Sequence, residues 1–258
     1  MKIGVCLSLR EVAAGLPAAA KSFGFDYIEL PLSAAAALDE GDFAELLAAV
    51  ERSGLPCEAC NIMFPGTLRL TGPAVDFDQV HAYLELALGR AGRMGVKSAV
   101  FGSAGARNVP EGFPKEQAWL QLVEMLRAAD PLAAQNGLAL AIEPLNHTES
   151  NILNSGAEGF ALARLVERPN IGLLLDYYHI WMDGEHPGIA VTARNVLRHA
   201  HFADPEARCY PVEMKAHFRD FFDALKAAGY DSRVSIEAAY SDFAADAPRA
   251  LAVMRSLV

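Results

Sequence analysis

Four short runs of this chain end in groups that can hold a cation or move a proton. Ala139-Leu140-Ala141-Ile142-Glu143-Pro144 is apolar up to a single carboxylate, and a proline then stops the run. Ile171-Gly172-Leu173-Leu174-Leu175-Asp176 has the same design, and Arg233-Val234-Ser235-Ile236-Glu237 again ends in an acid. Val196-Leu197-Arg198-His199-Ala200-His201-Phe202 carries a histidine near its end. An ionised carboxylate at the end of a buried strand is costly unless something pairs with it. Glu143, Asp176, His201 and Glu237 brought into one small space therefore call for a cation. Oxygen-rich donors with one imidazole suit Mn²⁺, Mg²⁺ or Co²⁺ better than a thiolate-seeking ion.

The elements that would bring these groups together follow from alternation. Strand side chains alternate between faces, so Ala139, Ala141 and Glu143 share one face, and Leu138, Leu140 and Ile142 the other. Small residues leading to an acid suit the inside of a closed parallel barrel, and the bulky face suits an outer layer of helices. Read in order, strands are expected at Lys2–Leu7, Asp26–Leu32, Pro56–Met63, Lys97–Ser103 and the four runs above. Helices are expected within Val12–Gly24, with Pro17 in the first turn, and at Asp42–Gly54, Phe77–Gly95, Lys115–Asn136, Ala157–Val166, Glu213–Gly229 and Asp246–Val258. The helix before strand seven is short. Alternating strands and helices imply a parallel sheet with right-handed crossovers. Eight such units over residues 1–258 predict one (β/α)₈ barrel domain, with its site at the C-terminal strand ends. An open doubly wound sheet would want a Gly-rich turn after strand one; Leu7-Ser8-Leu9-Arg10 stands there instead.

Composition narrows the partners. The formal net charge is −10, which argues against nucleic acid, because phosphate binding needs clustered Lys and Arg. No stretch approaches the roughly 18 apolar residues of a membrane span. The N-terminal segment carries Arg10 and Glu11 where a secretory signal would stay apolar. Cys6, Cys57, Cys60 and Cys209 form no disulfide framework, so a cytoplasmic location is expected. The single CxxC at Cys57 and Cys60 reads as core packing, with the two thiols on opposite strand faces.

At the acid-ended strands the sequence resembles the xylose-isomerase-like superfamily, in particular the sugar phosphate isomerase/epimerase group and the ketose 3-epimerases. Glu143-Pro144-Leu145-Asn146 with Glu149 matches the strand-five pattern, and Asp176-Tyr177-Tyr178-His179 the strand-six pattern. His201 is followed by Asp204 and by Arg208, one residue later than the family spacing, and Glu237 ends strand eight. The resemblance implies one divalent ion per chain, Mn²⁺ first, held by Glu143, Asp176, His201 and Glu237. Glu143 and Glu237 would double as proton-transfer groups, and Glu149, His179 and Arg208 would hold a sugar. It also implies a homodimer or homotetramer. The chemistry fits the residue types: a cation on the carbonyl and neighbouring hydroxyl oxygens stabilises the enediolate, and two carboxylates exchange the proton. The same parts would serve an aldose–ketose or hydroxypyruvate isomerase, or a lyase-like subunit acting on keto-glycosides. An endonuclease of the superfamily would want about three zinc ions and further histidines on strands three and four, where Asn61 and Gly102 stand. A barrel that only binds sugar would be expected to have lost a ligand.

Other residues are open to two readings. Glu29 either binds a sugar hydroxyl or pairs with a base. His199 shares the parity of His201 and reads as a core histidine or as its support. His147 lies in the loop after Asn146, Trp181 is a candidate roof for the pocket, and Gly102 permits a close approach at the end of strand four. The loops after strands seven and eight, Ala203–Arg208 and Ala238–Asp242, hold no glycine. They also carry Asp204, Glu206 and Asp242. A phosphate grip usually sits there, so a free sugar is expected, with Arg107 the alternative basic anchor.

Overall fold

The computed structural model describes residues 1–258. Eight parallel strands close in chain order: β1 (Lys2–Cys6), β2 (Tyr27–Pro31), β3 (Cys57–Asn61), β4 (Ser98–Phe101), β5 (Ala139–Ile142), β6 (Ile171–Asp176), β7 (Leu197–Phe202) and β8 (Arg233–Ile236), with β8 paired back onto β1. Between and after them run α1 (Leu9–Ala13), α2 (Leu16–Phe23), α3 (Leu32–Ala37), α4 (Glu40–Ser53), α5 (Phe77–Met94), α6 (Ala104–Arg107), α7 (Lys115–Gln135), α8 (Gly156–Val166), α9 (Tyr177–Met182), α10 (Ile189–Thr192), α11 (Phe218–Ala227) and α12 (Phe243–Leu257). This is the (β/α)₈ barrel expected from the strand–helix alternation.

The two strand faces divide as the alternation predicts. Leu140, Ile142, Leu173 and Leu175 join the helices in one large apolar core outside the barrel. Val100, Ala141 and Leu174 form a separate small layer inside it. Continuing the inward parity one step past Ala141 and Leu174 delivers Glu143 and Asp176 to the C-terminal mouth.

Helix α11 shows how the outer layer holds that mouth in place. Phe218, Phe221, Phe222 and Leu225 recur on one helical face and are all buried. Each contributes on the order of 1.5–3 kcal/mol by leaving water. They pack behind Phe202, whose ring lies 5.2 Å from Tyr177 and nearly parallel to it at 6°. Phe202 follows His201 and Tyr177 follows Asp176, so this aromatic stack fixes the ends of two neighbouring strands that carry site residues.

Several details differ from the sequence reading. The first helical segment is two helices, broken at Gly15, which sits at φ +85°. Pro17 does fall in the first turn of the second. The helix expected from Glu213 starts at Phe218; the segment before it bridges from Cys209 to Asp204 and Ala239, and Lys215 pairs with Asp204 and Glu206. Cys57 and Cys60 do not face opposite ways. A register shift where β3 pairs with β2 adds one residue between them, and both thiols enter the outer core. The same irregularity leaves Glu58 at the N-terminal end of the barrel, paired with Lys2 (2.7 Å) and Arg233 (2.6 Å).

Candidate metal centre

Glu143, Asp176, His201 and Glu237 converge at the barrel mouth, each offering a ligand atom within 4.8 Å of the others. Strand pairing sets this. Asp176 is in register with His201 across β6 and β7, and His201 with Ser235 across β7 and β8, two residues before Glu237. Glu143 follows β5 directly, and its N–H donates to the Phe101 carbonyl. Gly102 makes room for it: a Cβ there would stand 1.8 Å from Glu143 Oε2. The sequence leads one to expect substrate or another backbone close to Gly102; the group that stands there is this side-chain carboxylate.

The charges of the site are out of balance in a way that fits a divalent cation. His201 Nδ1 lies 3.2 Å from Glu143 and 3.5 Å from Glu237. Burial pushes this imidazole toward the neutral form, but Glu29, Glu237 and Glu143 outweigh burial and raise its pKa well above normal. A proton on Nδ1 thus stands where a cation would. Burial raises Asp176 to about 6, and its Oδ2 is buried with no hydrogen-bond partner. Two oxygens, one imidazole nitrogen and an orphaned carboxylate oxygen match the donors that hard divalent ions prefer.

Below the mouth, Glu29 organises the imidazoles. Its Oε1 lies 3.0 Å from His201 Nε2, and its Oε2 lies 2.8 Å from His199 Nε2 and accepts from Ser235 Oγ at 2.5 Å. Tyr27 in turn donates to Ser235 at 2.8 Å. Glu29 is fully buried, and its two histidines hold its pKa far down against the effect of burial. If a cation replaced the proton on Nδ1, Glu29 would keep the other proton on His201 Nε2 and leave the Nδ1 lone pair facing the mouth, as a carboxylate behind a ligating histidine does. Both open readings are answered: Glu29 pairs with imidazoles rather than a sugar, and His199 supports this pair. Asn61 is the residue that the sequence reading missed. Its Nδ2 donates to Glu237 Oε1 at 2.8 Å.

The three expected sugar contacts gather on one rim. Arg208 Nη1 donates to Glu149 at 3.0 Å and Nη2 to Glu237 at 3.3 Å, with its guanidinium 4.5 Å over the Tyr178 ring. The later position of Arg208 is absorbed by a left-handed backbone, φ +45°, that turns it back to the mouth. Burial pushes Glu237 up, but His201 and Arg208 bring it down to about 2. The His179 ring accepts the Asn146 backbone N–H at Nδ1 (3.2 Å), so its proton sits on Nε2. That Nε2 is buried, unpartnered and 3.6 Å from Asp176. Asn146 also donates to Glu149, at 3.1 Å. His147 is held aside by Asp183 (2.7 Å). Cys6 stands close to His201 and Glu237, and burial together with Glu29 and Glu237 pushes its thiol well above the usual range.

A barrel closed in chain order with an acidic, imidazole-bearing mouth defines a class, and comparison with known proteins agrees. The sequence profile described as "Xylose isomerase-like TIM barrel" matches residues 17–257, and the chain belongs to that family. It is 32% identical over 133 residues to a ketose 3-epimerase of Arthrobacter globiformis, covering 51% of this chain and 45% of that one. It is 36% identical over 121 residues to an L-ribulose 3-epimerase of Methylomonas, covering 46% and 41%. The chain thus matches about half the length of these relatives. A crystal structure of D-psicose 3-epimerase obtained with D-fructose superposes with a TM-score of 0.87 at 21% identity, covering 100% of this chain and 99% of that one.

Proposed function

We propose that this barrel is a divalent-metal-dependent ketose 3-epimerase acting on a free sugar, with one ion per chain held by Glu143, Asp176, His201 and Glu237. The observation that carries the reading is the convergence of these four donors within 4.8 Å around a deficit of positive charge. When bound, the ion would draw electron density from the sugar's carbonyl and adjacent hydroxyl oxygens and so make the neighbouring C–H acidic enough to exchange. Glu143 and Glu237 serve opposite faces of the sugar, one removing the proton and the other returning it, at roughly 10²–10⁴-fold each. His201 and Arg208 keep Glu237 ionised, and Asn61 and Arg208 aim it. His179 Nε2–H, Glu149 and Arg208 hold hydroxyl groups of the sugar. The donor set favours Mn²⁺, with Mg²⁺ and Co²⁺ as alternatives. The barrel acts as one unit over residues 1–258, as part of a homodimer or homotetramer in the cytoplasm.

A free sugar is favoured because the loop after β7 has no spare cation. Lys215 is paired with Asp204 (2.7 Å) and Glu206 (2.6 Å), and Arg208 with two glutamates. Arg107 is fully buried, donating to the Phe101 carbonyl, so it is no phosphate anchor. The test is NMR detection of deuterium wash-in across free ketoses and their terminal phosphate esters with Mn²⁺ present. Exchange at C3 of a free ketose is expected. Exchange confined to C1 and C2 would make the protein an aldose–ketose isomerase. A preference of about tenfold for the ester, ~1.4 kcal/mol in transition-state binding, would overturn the free-sugar reading.

A further inference from the structure

We propose that Cys6 is a latent thiolate ligand at the barrel mouth, through which a thiophilic divalent ion such as Cd²⁺ or Zn²⁺ binds with His201 and Glu237 and displaces the hard ion. The proposal deepens the metal-centre reading, on which it rests for the hard ion. Cys6, His201 and Glu237 form a second donor cluster whose ligand atoms also lie within 4.8 Å of one another. Two of its three members belong to the oxygen-rich set as well, so the two sets cannot be filled independently.

The fold places this thiol deliberately close. Cys6 ends β1 on the face of Gly4, which looks into the barrel: a Cβ on Gly4 would stand 2.3 Å from the Tyr27 ring. β1 pairs with β8, Val5 opposite Ile236, so the inward residues one step on are Cys6 and Glu237. Cys6 is half-buried, so an ion entering the mouth can reach it. Cys57 and Cys60 are buried in the outer core. Cys209 lies on the loop that follows β7.

The chemistry separates the two kinds of ion. A thiol is a ligand only as thiolate. Hard ions gain little from sulfur and stay with the carboxylates, whereas soft thiolate donors select thiophilic metals. In the capture step the S–H bond breaks, the proton leaves to solvent, and the sulfur lone pair forms the bond to the metal. No electron is transferred. The product is a sulfur–nitrogen–oxygen site that has taken His201 and Glu237 from the oxygen-rich set.

The probe is CdCl₂ titrated into reduced, metal-free protein, read by the ultraviolet thiolate-to-cadmium charge-transfer band. Wild-type protein should develop the band, and Mn²⁺ should suppress it competitively. Cys6→Ser and Cys6→Ala should lack the band, and Cys209→Ser should keep it. Losing even an outer partner of a metal ligand costs about 10–100-fold in affinity, so loss of Cys6 should cost Cd²⁺ at least that while Mn²⁺ affinity is unchanged. A band that persists without Cys6, or that never forms at saturation, overturns the proposal, as does Cd²⁺ binding indifferent to Mn²⁺. Mn²⁺ binding without a cadmium–thiolate band defeats Cys6 alone; protein that binds neither ion defeats the metal-centre reading too.

Discussion

The two ends of the barrel use the same residue types in opposite proportion. At the N-terminal end one carboxylate, Glu58, meets two cations, Lys2 at 2.7 Å and Arg233 at 2.6 Å. At the C-terminal mouth Glu143, Asp176 and Glu237 share one imidazole and one side of Arg208, with Glu29 behind and Glu149 on the rim. The floor is neutralised by the protein itself. The mouth is not, and it holds atoms such as Asp176 Oδ2 that have no partner. A buried charge without a partner costs several kcal/mol. A fold that leaves such a group at one end and balances the other has spent stability where chemistry needs it.

The widest gap between the two ends should open when the ion is removed. Chelation is expected to abolish activity and lower the melting temperature, since an ion bound only by the folded state contributes on the order of 3 kcal/mol at a hundredfold excess over Kd. Protein that keeps its turnover and melting point in excess chelator would erase the distinction. Next in size are Glu143→Gln and Glu237→Gln. Each should lower kcat by roughly 10²–10⁴-fold as a proton-transfer group is lost. A variant that still binds metal should retain exchange with solvent from one epimer only, which NMR can follow. Undiminished turnover in either variant would remove that residue from the mechanism.

The mouth was unevenly legible in the sequence. Glu143, Asp176 and Glu237 each close an apolar run, and the alternation leading to them points inward, so their convergence followed from eight strands closing in order. Glu29 and Asn61 carry no such mark. Glu29 sits mid-strand in β2, and its partners, His199 and His201, come from β7 across the barrel. Alternation says that it faces inward but not what it meets there. Asn61 reaches Glu237, which is 176 residues away in the chain. The floor was hidden for a different reason: strict alternation puts Cys57 and Cys60 on opposite faces, whereas the irregularity beside Cys57 shifts parity by one residue, turns both thiols outward and leaves Glu58 at the floor. Helix ends near the mouth moved for the same kind of reason. Lys215, which a local reading places in a helix, is tied to Asp204 and Glu206 in the preceding loop.

Glu29 tests whether support from β2 matters as much as the ligands do. Glu29→Gln keeps the size and one acceptor but loses the charge that holds the proton on His201 Nε2. Mn²⁺ affinity should fall about 10–100-fold, measured by equilibrium dialysis or electron paramagnetic resonance. At saturating metal most of kcat should return, which separates positioning from catalysis. An unchanged Mn²⁺ affinity would reduce Glu29 to a buried structural acid.

The smallest effect should come from the floor. Burial pushes Glu58 up, but hydrogen bonds from Lys2 and Arg233 outweigh it and leave its pKa below the ordinary value. A carboxylate depressed in the folded state adds stability above its unfolded pKa, about 4.3, and that stability is lost as pH falls through the folded pKa. Glu58→Gln should therefore destabilise the barrel by about 1 kcal/mol near neutral pH, the upper end of the range for accessible ion pairs because Glu58 itself is mostly buried. The gap to wild type should close as acid protonates Glu58 in the parent. Denaturation followed across pH measures this directly. Turnover and Mn²⁺ affinity should not move, because the floor is already balanced and shares no residue with the mouth. A Glu58→Gln variant with weakened metal binding would show that the two ends are coupled through the barrel interior.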